Sequence, residues 1–259
     1  MPRPRHGVLL VRHGLTQWNA DQRWQGWADI PLSKLGEKQA AFAARTLLHL
    51  FNGLLQDQSA AAADIRVVSS DLQRAYATAR AFADALGVAR VERIETLRER
   101  NVGDWSGLTA REISTRWPGL LERWRGGEQV PLPGGEDEAA FRSRILGALT
   151  KEVRRSADDG RPSIVVSHGG AIRTIESLLN IESRHVANVG GRWFYWGGAT
   201  IVPGEPVDLL DEISQADPVH IDHSDNTDHS NNTDHSNHTD HSNHTDHIDS
   251  HGRSTSAAL

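Results

Sequence analysis

Apolar and polar residues along the chain follow two periods, one typical of buried strands and one typical of amphipathic helices. Short runs rich in Val, Ile and Leu are typical of strands covered on both faces, and they occupy residues 8–11, 65–68 and 163–166. Longer segments carry apolar residues at helical spacing and predict helices over residues 33–54, 71–86, 110–117, 137–156 and 171–179. Strands that alternate with helices predict an α/β fold with a mostly parallel sheet.

Two further segments are rich in Trp, Gly and Pro and follow no period. Residues 23–33 and 126–135 therefore predict loops. Trp18, Trp24 and Trp27 lie close together around the first of them. These three form either a small hydrophobic cluster that pins the loop or one wall of a ligand pocket, and the sequence leaves both open.

The C-terminal part of the chain changes character twice. Residues 185–210 predict two closing strands on either side of the aromatic run 191–198, which is best explained by core or edge packing. From residue 213 the chain is dominated by Asp, His, Ser, Asn and Thr, and a Thr-Asp-His-Ser-Asn-His unit recurs. A segment with so few apolar residues cannot offset the entropy of ordering, so residues 213–259 are predicted to be a disordered tail after a domain at 5–212.

Composition and charge exclude several classes of protein. The formal net charge of −6 and the lack of a basic run argue against a nucleic-acid partner. The chain has no cysteine, so it forms no disulfide, and this suits a cytoplasmic location. The apolar run at 8–11 is too short for a signal peptide or a membrane span, so no membrane partner is expected.

Two histidines, each followed by glycine, stand at the ends of predicted strands. Arg12-His13-Gly14 follows the first apolar run, and His168-Gly169 follows the run at 163–166. Ligands of open α/β sheets bind at this end of the strands. An isolated Arg-His pair is more often plain surface. Two strand-end histidines are hard to explain as core packing, however, because each buried imidazole must satisfy two ring nitrogens.

The turn after His13 adds two short polar side chains, Thr16 and Asn19, and Gly14 is expected to let the backbone bend sharply there. With these motifs the chain resembles the histidine phosphatase superfamily, also called phosphoglycerate-mutase-like, and its bacterial phosphatase branch. The resemblance covers about residues 5–200. It implies a three-layer αβα sandwich with a mostly parallel central sheet.

Three further motifs carry the resemblance. Gln25-Gly26 match a loop pair that reaches the phosphate region in the family. Residues 70–79 match Ser-x-x-x-Arg-Ala-x-x-Thr-Ala, which implies that Arg74 binds phosphate from the first turn of a helix. Residues 97–107 match Leu-x-Glu-x-x-x-Gly-x-Trp-Glu-Gly and imply that Glu99 is the acid, although Ser106 replaces the second Glu of the pattern.

The resemblance also implies a mechanism. His13 would attack phosphorus and form a phosphohistidine, with its other ring nitrogen held by a backbone carbonyl. Arg12 and Arg74 would neutralise charge, His168 would stabilise the phosphoryl oxygens, and Glu99 would protonate the leaving group. No cofactor and no active-site metal are implied. The substrate-binding residues would be Arg12, His13, Gly14, Thr16, Asn19, Gln25, Gly26, Arg74, Glu99, His168 and Gly169.

Two other functions stay open beside a metal-independent phosphatase of small phosphomonoesters. A 2,3-bisphosphoglycerate-dependent phosphoglycerate mutase would carry His-Tyr where this chain has Asn101-Val102, and extra segments that do not occur here. A metal-buffering protein would act through the tail, where nine of the 14 histidines lie between His220 and His251. The expected partner is a small phosphorylated metabolite, with a homodimer and weak divalent-metal binding by the tail left open.

Overall fold

The computed structural model describes residues 6–55, 65–182 and 185–210. The tail at 213–259, with its expected disorder and metal binding, lies outside these residues. The elements in chain order are β1 (Val8–Arg12), α1 (Gln17–Ala20), α2 (Lys34–Leu55), β2 (Arg66–Ser69), α3 (Gln73–Ala85), β3 (Val91–Arg93), α4 (Ala110–Arg116), α5 (Leu120–Arg125), α6 (Glu138–Asp159), β4 (Ser163–Ser167), α7 (Gly169–Leu178), β5 (Gly190–Trp196) and β6 (Ile201–Asp208).

A six-stranded sheet with the order β3-β2-β4-β1-β5-β6 forms the middle layer. The pairs β3–β2, β2–β4 and β4–β1 are parallel, and β5 runs antiparallel to both of its neighbours. The sheet is therefore mostly parallel, as predicted. Strands β2, β4 and β1 are adjacent, so their carboxyl ends meet at one place on the edge of the sheet.

The side chains of each central strand alternate between two hydrophobic cores. Leu9 and Val11 of β1 pack with α2 and α3 on one face, whereas Val8 and Leu10 pack with α6 and α7 on the other. This alternation is the period of two that a strand imposes, and both faces are apolar because helices cover both. The predicted three-layer αβα sandwich is confirmed.

Helix ends follow the local sequence. Ser33 caps α2, since its hydroxyl accepts the N–H of Gly36 at 3.0 Å. Gly87 follows the end of α3 with a φ of +69°, a left-handed conformation that favours glycine, so the predicted stop at this residue is confirmed. Asp137 caps α6 by accepting the N–H of Ala140 at 2.9 Å.

The aromatic run at 191–198 was wrongly predicted to separate two strands. It is itself most of β5, and its side chains alternate between the faces of the sheet. Trp193 packs in the core beside α2, and Phe194 packs in the core beside α6. Core or edge packing was the expected explanation of the run, and the burial of these two rings shows that they pack in the core. The pattern looked like a connection because glycines flank the aromatic residues on both sides.

A third, smaller hydrophobic cluster lies apart from the two faces of the sheet. It packs around the fully buried Trp105 and includes Val102, Leu108, Ile113, Leu121 and Leu132. Trp24 and Trp124 pack against it, with ring centroids 5.0 Å apart and an edge-to-face geometry. This cluster holds the loop after α1 against α4 and α5, so it forms the outer wall described below. Among the described residues, no helix is long and apolar enough to cross a membrane.

Candidate active site

A cavity of about 460 Å³ opens at the carboxyl ends of β1, β2 and β4. Arg12 ends β1 and His13 follows it. Ser70 follows β2, and His168 follows β4 as the residue before α7. The N–H of His13 donates to the carbonyl oxygen of Ser167 at 3.0 Å and so ties the two histidine loops together. The two strand-end motifs predicted from the sequence therefore meet in one site.

The imidazole of His13 is held in one tautomer. Its Nδ1 lies 2.7 Å from the carbonyl oxygen of Gly14. A carbonyl only accepts, so Nδ1 carries the proton and Nε2 keeps its lone pair. Burial, with Arg74 and Arg12 nearby, lowers the pKa of His13 well below its ordinary value of 6.5. His13 is therefore neutral and lines the cavity with a free nucleophilic nitrogen.

His168 adjoins His13, with ring centroids 5.2 Å apart in an edge-to-face arrangement, and it does not itself line the cavity. It is fully buried, and its Nε2 lies 2.9 Å from the hydroxyl oxygen of Ser70. Its Nδ1 is buried and has no partner among the described residues. Burial, followed by the charge of Arg74, lowers the pKa of His168 well below 6.5.

Two arginines reach the same place from different elements. Nη1 of Arg12 donates to the carbonyl oxygen of Val186 at 2.7 Å. Arg74, the second residue of α3, donates to the carbonyl oxygens of Ala28 at 2.7 Å and Gly26 at 2.8 Å. In each case Nε is buried and has no partner within the described chain. These orphaned donors are typical of a site built for an anion.

Burial also changes the acidity of these two guanidinium groups. It lowers the pKa of Arg12 to about 10, with the charge of Arg173 as the second cause. It likewise lowers the pKa of Arg74 to about 10. Both groups remain charged at neutral pH, and a bound dianion would relieve the cost of holding two buried cations together.

Glu99 lies at the N-terminus of α7, on the cavity wall. Its Oε1 accepts the N–H of Arg100 at 2.9 Å, and its Oε2 accepts the N–H of Gly170 at 2.8 Å. A Cβ atom at residue 170 would lie 2.4 Å from Oε1 of Glu99, so only glycine leaves room for the carboxylate. One lone pair on each oxygen remains available to the cavity.

Four of the other predicted residues lie in the wall of the cavity, namely Asn19, Gln25, Gly26 and Gly169. Oδ1 of Asn19 accepts from Thr16, which leaves the amide N–H groups of Asn19 for a ligand. Gln25 donates to the hydroxyl of Thr16 at 2.9 Å, so it braces the turn. A Cβ atom at residue 169 would lie 3.1 Å from Nε of Arg12. Glycine at this position therefore lets the Arg12 guanidinium pack closely against α7.

Thr16 and Gly14 do not line the cavity. They support the residues that do. Thr16 is fully buried as the N-cap of α1, bonded to Asn19 and Gln25. Gly14 has no left-handed φ, so the expected sharp bend does not require glycine. A Cβ at residue 14 would instead lie 2.8 Å from the carbonyl oxygen of Gly36, so the glycine permits close packing against α2.

The outer part of the cavity contains residues that the sequence did not single out. Trp24 and Trp124 line it, so Trp24 belongs both to a hydrophobic cluster and to the pocket wall, the two alternatives left open above. Trp27 instead donates from its indole nitrogen to the carbonyl oxygen of Glu99 at 2.7 Å and holds the acid's backbone. One face of α7 lines the cavity with Gly170, Arg173, Thr174 and Ser177. These residues are three or four positions apart, so the sequence could have indicated that they share one face of the helix.

The departure from the family pattern at Ser106 has a structural counterpart. Its hydroxyl donates to the carbonyl oxygen of Gln25 at 3.1 Å and so fastens the loop that carries Gln25 and Gly26. In the described part of the chain, no group of three or more His, Cys, Asp or Glu residues is arranged to hold a metal ion.

Two buried histidines between two arginines, at the edge of a mostly parallel sheet, define an α/β enzyme that acts on phosphate esters. The chain belongs to the histidine phosphatase superfamily, branch 1, whose family model matches residues 8–190. It is a phosphoric monoester hydrolase of the histidine phosphatase type.

Relatives of known name include both phosphatases and mutases. The chain is 34% identical over 215 residues to glucosyl-3-phosphoglycerate phosphatase of Mycolicibacterium vanbaalenii, covering 79% of this chain and 89% of the relative. It is 31% identical over 176 residues to the 2,3-bisphosphoglycerate-dependent phosphoglycerate mutase of a Chelativorans species, covering 67% and 81%.

Solved structures show the same two kinds of relative. The mycobacterial glucosyl-3-phosphoglycerate phosphatase complexed with VO3 matches with a TM-score of 0.62 and 29% identity, over 76% of this chain and 96% of that one. Phosphoglycerate mutase from Bacillus anthracis matches with a TM-score of 0.61 and 25% identity, over 79% and 93%. The overall fold therefore does not separate the two activities.

Proposed function

We propose that the chain is a metal-independent phosphatase of small phosphomonoesters and that His13 carries the phosphoryl group during turnover. The observation that carries this proposal is the tautomer of His13. The bond from Nδ1 to the carbonyl oxygen of Gly14 leaves the Nε2 lone pair free, in a buried ring held neutral beside two arginines. A nucleophile that is neutral at working pH needs no base to activate it.

In the first step, Nε2 of His13 attacks phosphorus and the bond from phosphorus to the ester oxygen breaks. The leaving oxygen takes a proton from Glu99. In the second step, water attacks the phosphohistidine, Glu99 takes a proton from that water, and the bond from nitrogen to phosphorus breaks. The products are an alcohol and inorganic phosphate, and His13 returns to its neutral form.

The phosphoryl oxygens are bound by donors that have no partner among the described residues. Three of these donors belong to residues that line the cavity, namely Nε of Arg12, Nε of Arg74 and the amide N–H groups of Asn19. The fourth is Nδ1 of His168, a buried residue that does not line the cavity itself but adjoins His13. When the hydroxyl of Ser70 donates to Nε2 of His168, Nδ1 of that ring carries the proton and donates to phosphate. Charge develops on these oxygens during transfer, so donors already fixed in place lower the barrier.

The substrate is a sugar phosphate or a phosphoglycerate-like ester. A cavity of about 460 Å³ holds more than a phosphate group, and the aromatic wall of Trp24 and Trp124 offers a face for a sugar ring. Because the relatives include a glucosyl-3-phosphoglycerate phosphatase, that ester is the first natural substrate to test. The homodimer, the cytoplasmic location and metal binding by the tail stay predictions.

The test is hydrolysis of phenyl phosphate with and without EDTA, by the native chain and by His13→Ala. Turnover that EDTA leaves intact and that falls at least about 1,000-fold in the variant supports the mechanism. A phosphoenzyme trapped from labelled substrate should appear in the native chain and be missing from His13→Ala. Turnover that EDTA abolishes, or that survives in the variant, contradicts the proposal.

The two alternatives give different results in the same assays. A mutase would convert 3-phosphoglycerate to 2-phosphoglycerate faster than it releases inorganic phosphate. A metal-buffering protein would turn over none of these esters and would bind divalent metal through the tail.

A further inference from the structure

The charged residues around the cavity are unequally engaged. Six arginines line the cavity, namely Arg12, Arg23, Arg74, Arg100, Arg142 and Arg173. Only three glutamates line it, so the cavity is cationic. All three glutamates are already engaged. Glu99 accepts two backbone N–H groups, Glu128 pairs with Arg123, and Glu138 pairs with Arg100 at 3.2 Å.

Most of these arginines also have partners. Arg12 and Arg74 are pinned by carbonyl oxygens at the phosphoryl end. Arg23 bonds the carbonyl oxygen of Gly107 at 2.7 Å and the carboxylate of Glu112 at 3.0 Å. Arg100 donates to the carbonyl oxygen of Glu136 and pairs with Glu138. Their charges are therefore committed to the protein or to the phosphoryl group.

Arg142 and Arg173 differ from the others. Arg142 shares Glu138 with Arg100, through a longer contact of 3.7 Å. Arg173 is exposed and has no hydrogen bond and no ion pair with any residue that the structure describes. Its charge is the second cause of the lowered pKa of Arg12, so the two guanidinium groups are close enough to repel each other. Two like charges repel each other, and an anion bound between them would relieve that repulsion.

Arg173 also occupies a defined place relative to the phosphoryl end. It lies on the face of α7 that lines the cavity, one turn beyond Gly169 and Gly170. One helical turn is about 5 Å along the axis. Arg173 therefore lines the cavity about one helical turn further along α7 than Gly169, the residue that adjoins Arg12.

We propose that Arg173 binds a carboxylate on the leaving group, so that the enzyme selects phosphate esters of hydroxy acids. This inference rests on the proposed phosphatase function and assigns a specificity-determining residue to it. The planar guanidinium matches a carboxylate with two parallel hydrogen bonds, which a neutral hydroxyl cannot reproduce. Binding would also place a negative charge between Arg173 and Arg12.

Two substrates that differ only at this group test the inference. In 3-phosphoglycerate a carboxylate stands where sn-glycerol 3-phosphate has a hydroxymethyl group, and both are primary phosphate esters. We expect the native chain to favour 3-phosphoglycerate in kcat/KM by about 10- to 100-fold, the range of a charge-assisted hydrogen-bond pair. Arg173→Gln should bring the ratio of the two values close to one, and Arg173→Lys should restore part of it.

A matched control removes the same charge elsewhere. Arg111 of α4 is exposed and does not line the cavity, so Arg111→Gln should keep the native ratio. A native ratio near one, or a native ratio that survives in Arg173→Gln, overturns the inference while hydrolysis itself continues. If neither ester nor phenyl phosphate is hydrolysed, the proposed function fails and the inference fails with it.

Discussion

The imidazole rings of His13 and His168 lie edge to face, with their centroids 5.2 Å apart, and both rings are buried. Two imidazolium ions at this distance, both buried and beside two arginines, would repel each other. Both rings therefore stay neutral at pH values at which the same two histidines would already bind protons in the unfolded chain. This relationship makes the stability of the fold depend on pH.

The first prediction concerns that dependence. The pKa of His13 and the pKa of His168 are lowered by folding, so below pH 6.5 the unfolded state binds more protons than the native state. The free energy of unfolding should therefore fall as pH decreases from 6.5, by up to about 1.4 kcal/mol per pH unit for each ring. Urea unfolding at a series of pH values from 7.5 to 5.5 measures the slope.

His168→Gln should reduce that slope by the share of one ring. His49→Gln, which removes an exposed histidine of α2, is the control and should keep the native slope. Equal slopes in the native chain and His168→Gln would mean that His168 gains its proton as readily in the fold as outside it.

The second prediction concerns the acid. Glu99→Gln keeps the shape of the side chain but removes the proton that the leaving oxygen needs. Hydrolysis of alkyl phosphates should fall by about 100- to 1,000-fold, whereas p-nitrophenyl phosphate, whose leaving group needs little protonation, should lose far less. Steady-state rates on both esters check this. Equal losses on the two would assign Glu99 to binding or structure.

The third prediction uses the glycine beside that acid. Gly170→Ala would place a Cβ 2.4 Å from Oε1 of Glu99 and displace the carboxylate. The rate on alkyl phosphates should fall by about 10- to 100-fold, since small displacements of catalytic groups are costly. Gly147→Ala, at a position of α6 where a Cβ meets open space, is the matched control. A fully active Gly170→Ala would show that the carboxylate needs no fixed place.

The fourth prediction concerns Arg74. A lysine there keeps the charge but cannot hold the carbonyl oxygens of Ala28 and Gly26 while also facing a phosphate. Arg74→Lys should weaken inhibition by vanadate by about 10- to 100-fold. Arg80→Lys, a change at a half-buried arginine of the same helix that does not line the cavity, should leave inhibition as it is. If vanadate inhibits Arg74→Lys as strongly as it inhibits the native chain, Arg74 serves only to hold the loop at Gly26 and Ala28.

The fifth prediction lies far from the chemistry. Glu152 of α6 is buried, neither of its carboxylate oxygens has a hydrogen-bond partner among the described residues, and burial raises its pKa. The native state therefore binds more protons than the unfolded state above pH 4.5, and stability falls as pH rises through the raised pKa. Glu152→Gln should stabilise the fold by about 1 kcal/mol at pH 8.

That gain should shrink as the pH approaches 4.5, because the native carboxyl is then protonated as well. Urea unfolding at pH 8 and pH 5 measures the difference, with Glu37→Gln as an exposed control on α2. A gain that is equal at both pH values would have to come from packing and not from the charge.

The sequence alone indicated which residues would converge at the edge of the sheet. His13, His168 and Arg74 each stand where an apolar strand ends or a helix begins, and such positions converge in any parallel sheet. The sequence did not reveal that Gly14 packs against α2 and that Thr16 caps α1 beneath the predicted binding residues, because such contacts depend on the fold. No local pattern distinguishes a glycine that permits contact from one that permits a turn.

The outer wall was not predictable in the same way. Helix α5 has six residues, too few to show a period, and Trp124 on it meets Trp24 across a long stretch of chain. Nothing in the sequence around Arg173 distinguishes it from any other charged residue of a predicted helix. Its isolation becomes visible only when the partners of every other arginine in the cavity are known.

The third hydrophobic cluster has a consequence for how the sequence of such a protein can diverge during evolution. The residues that perform the chemistry rest on the two cores of the sheet, whereas Trp24 and Trp124 rest on the separate cluster around Trp105. Distant sites with no shared partners contribute to stability almost independently. Replacements within this cluster leave the packing of the two sheet cores in place. They reach the catalytic residues only through the loop of Trp24, whose next residues Gln25 and Gly26 contact Ser106 and Arg74. The shape of the outer wall can therefore change from one descendant protein to another while the cores that carry the histidines stay the same.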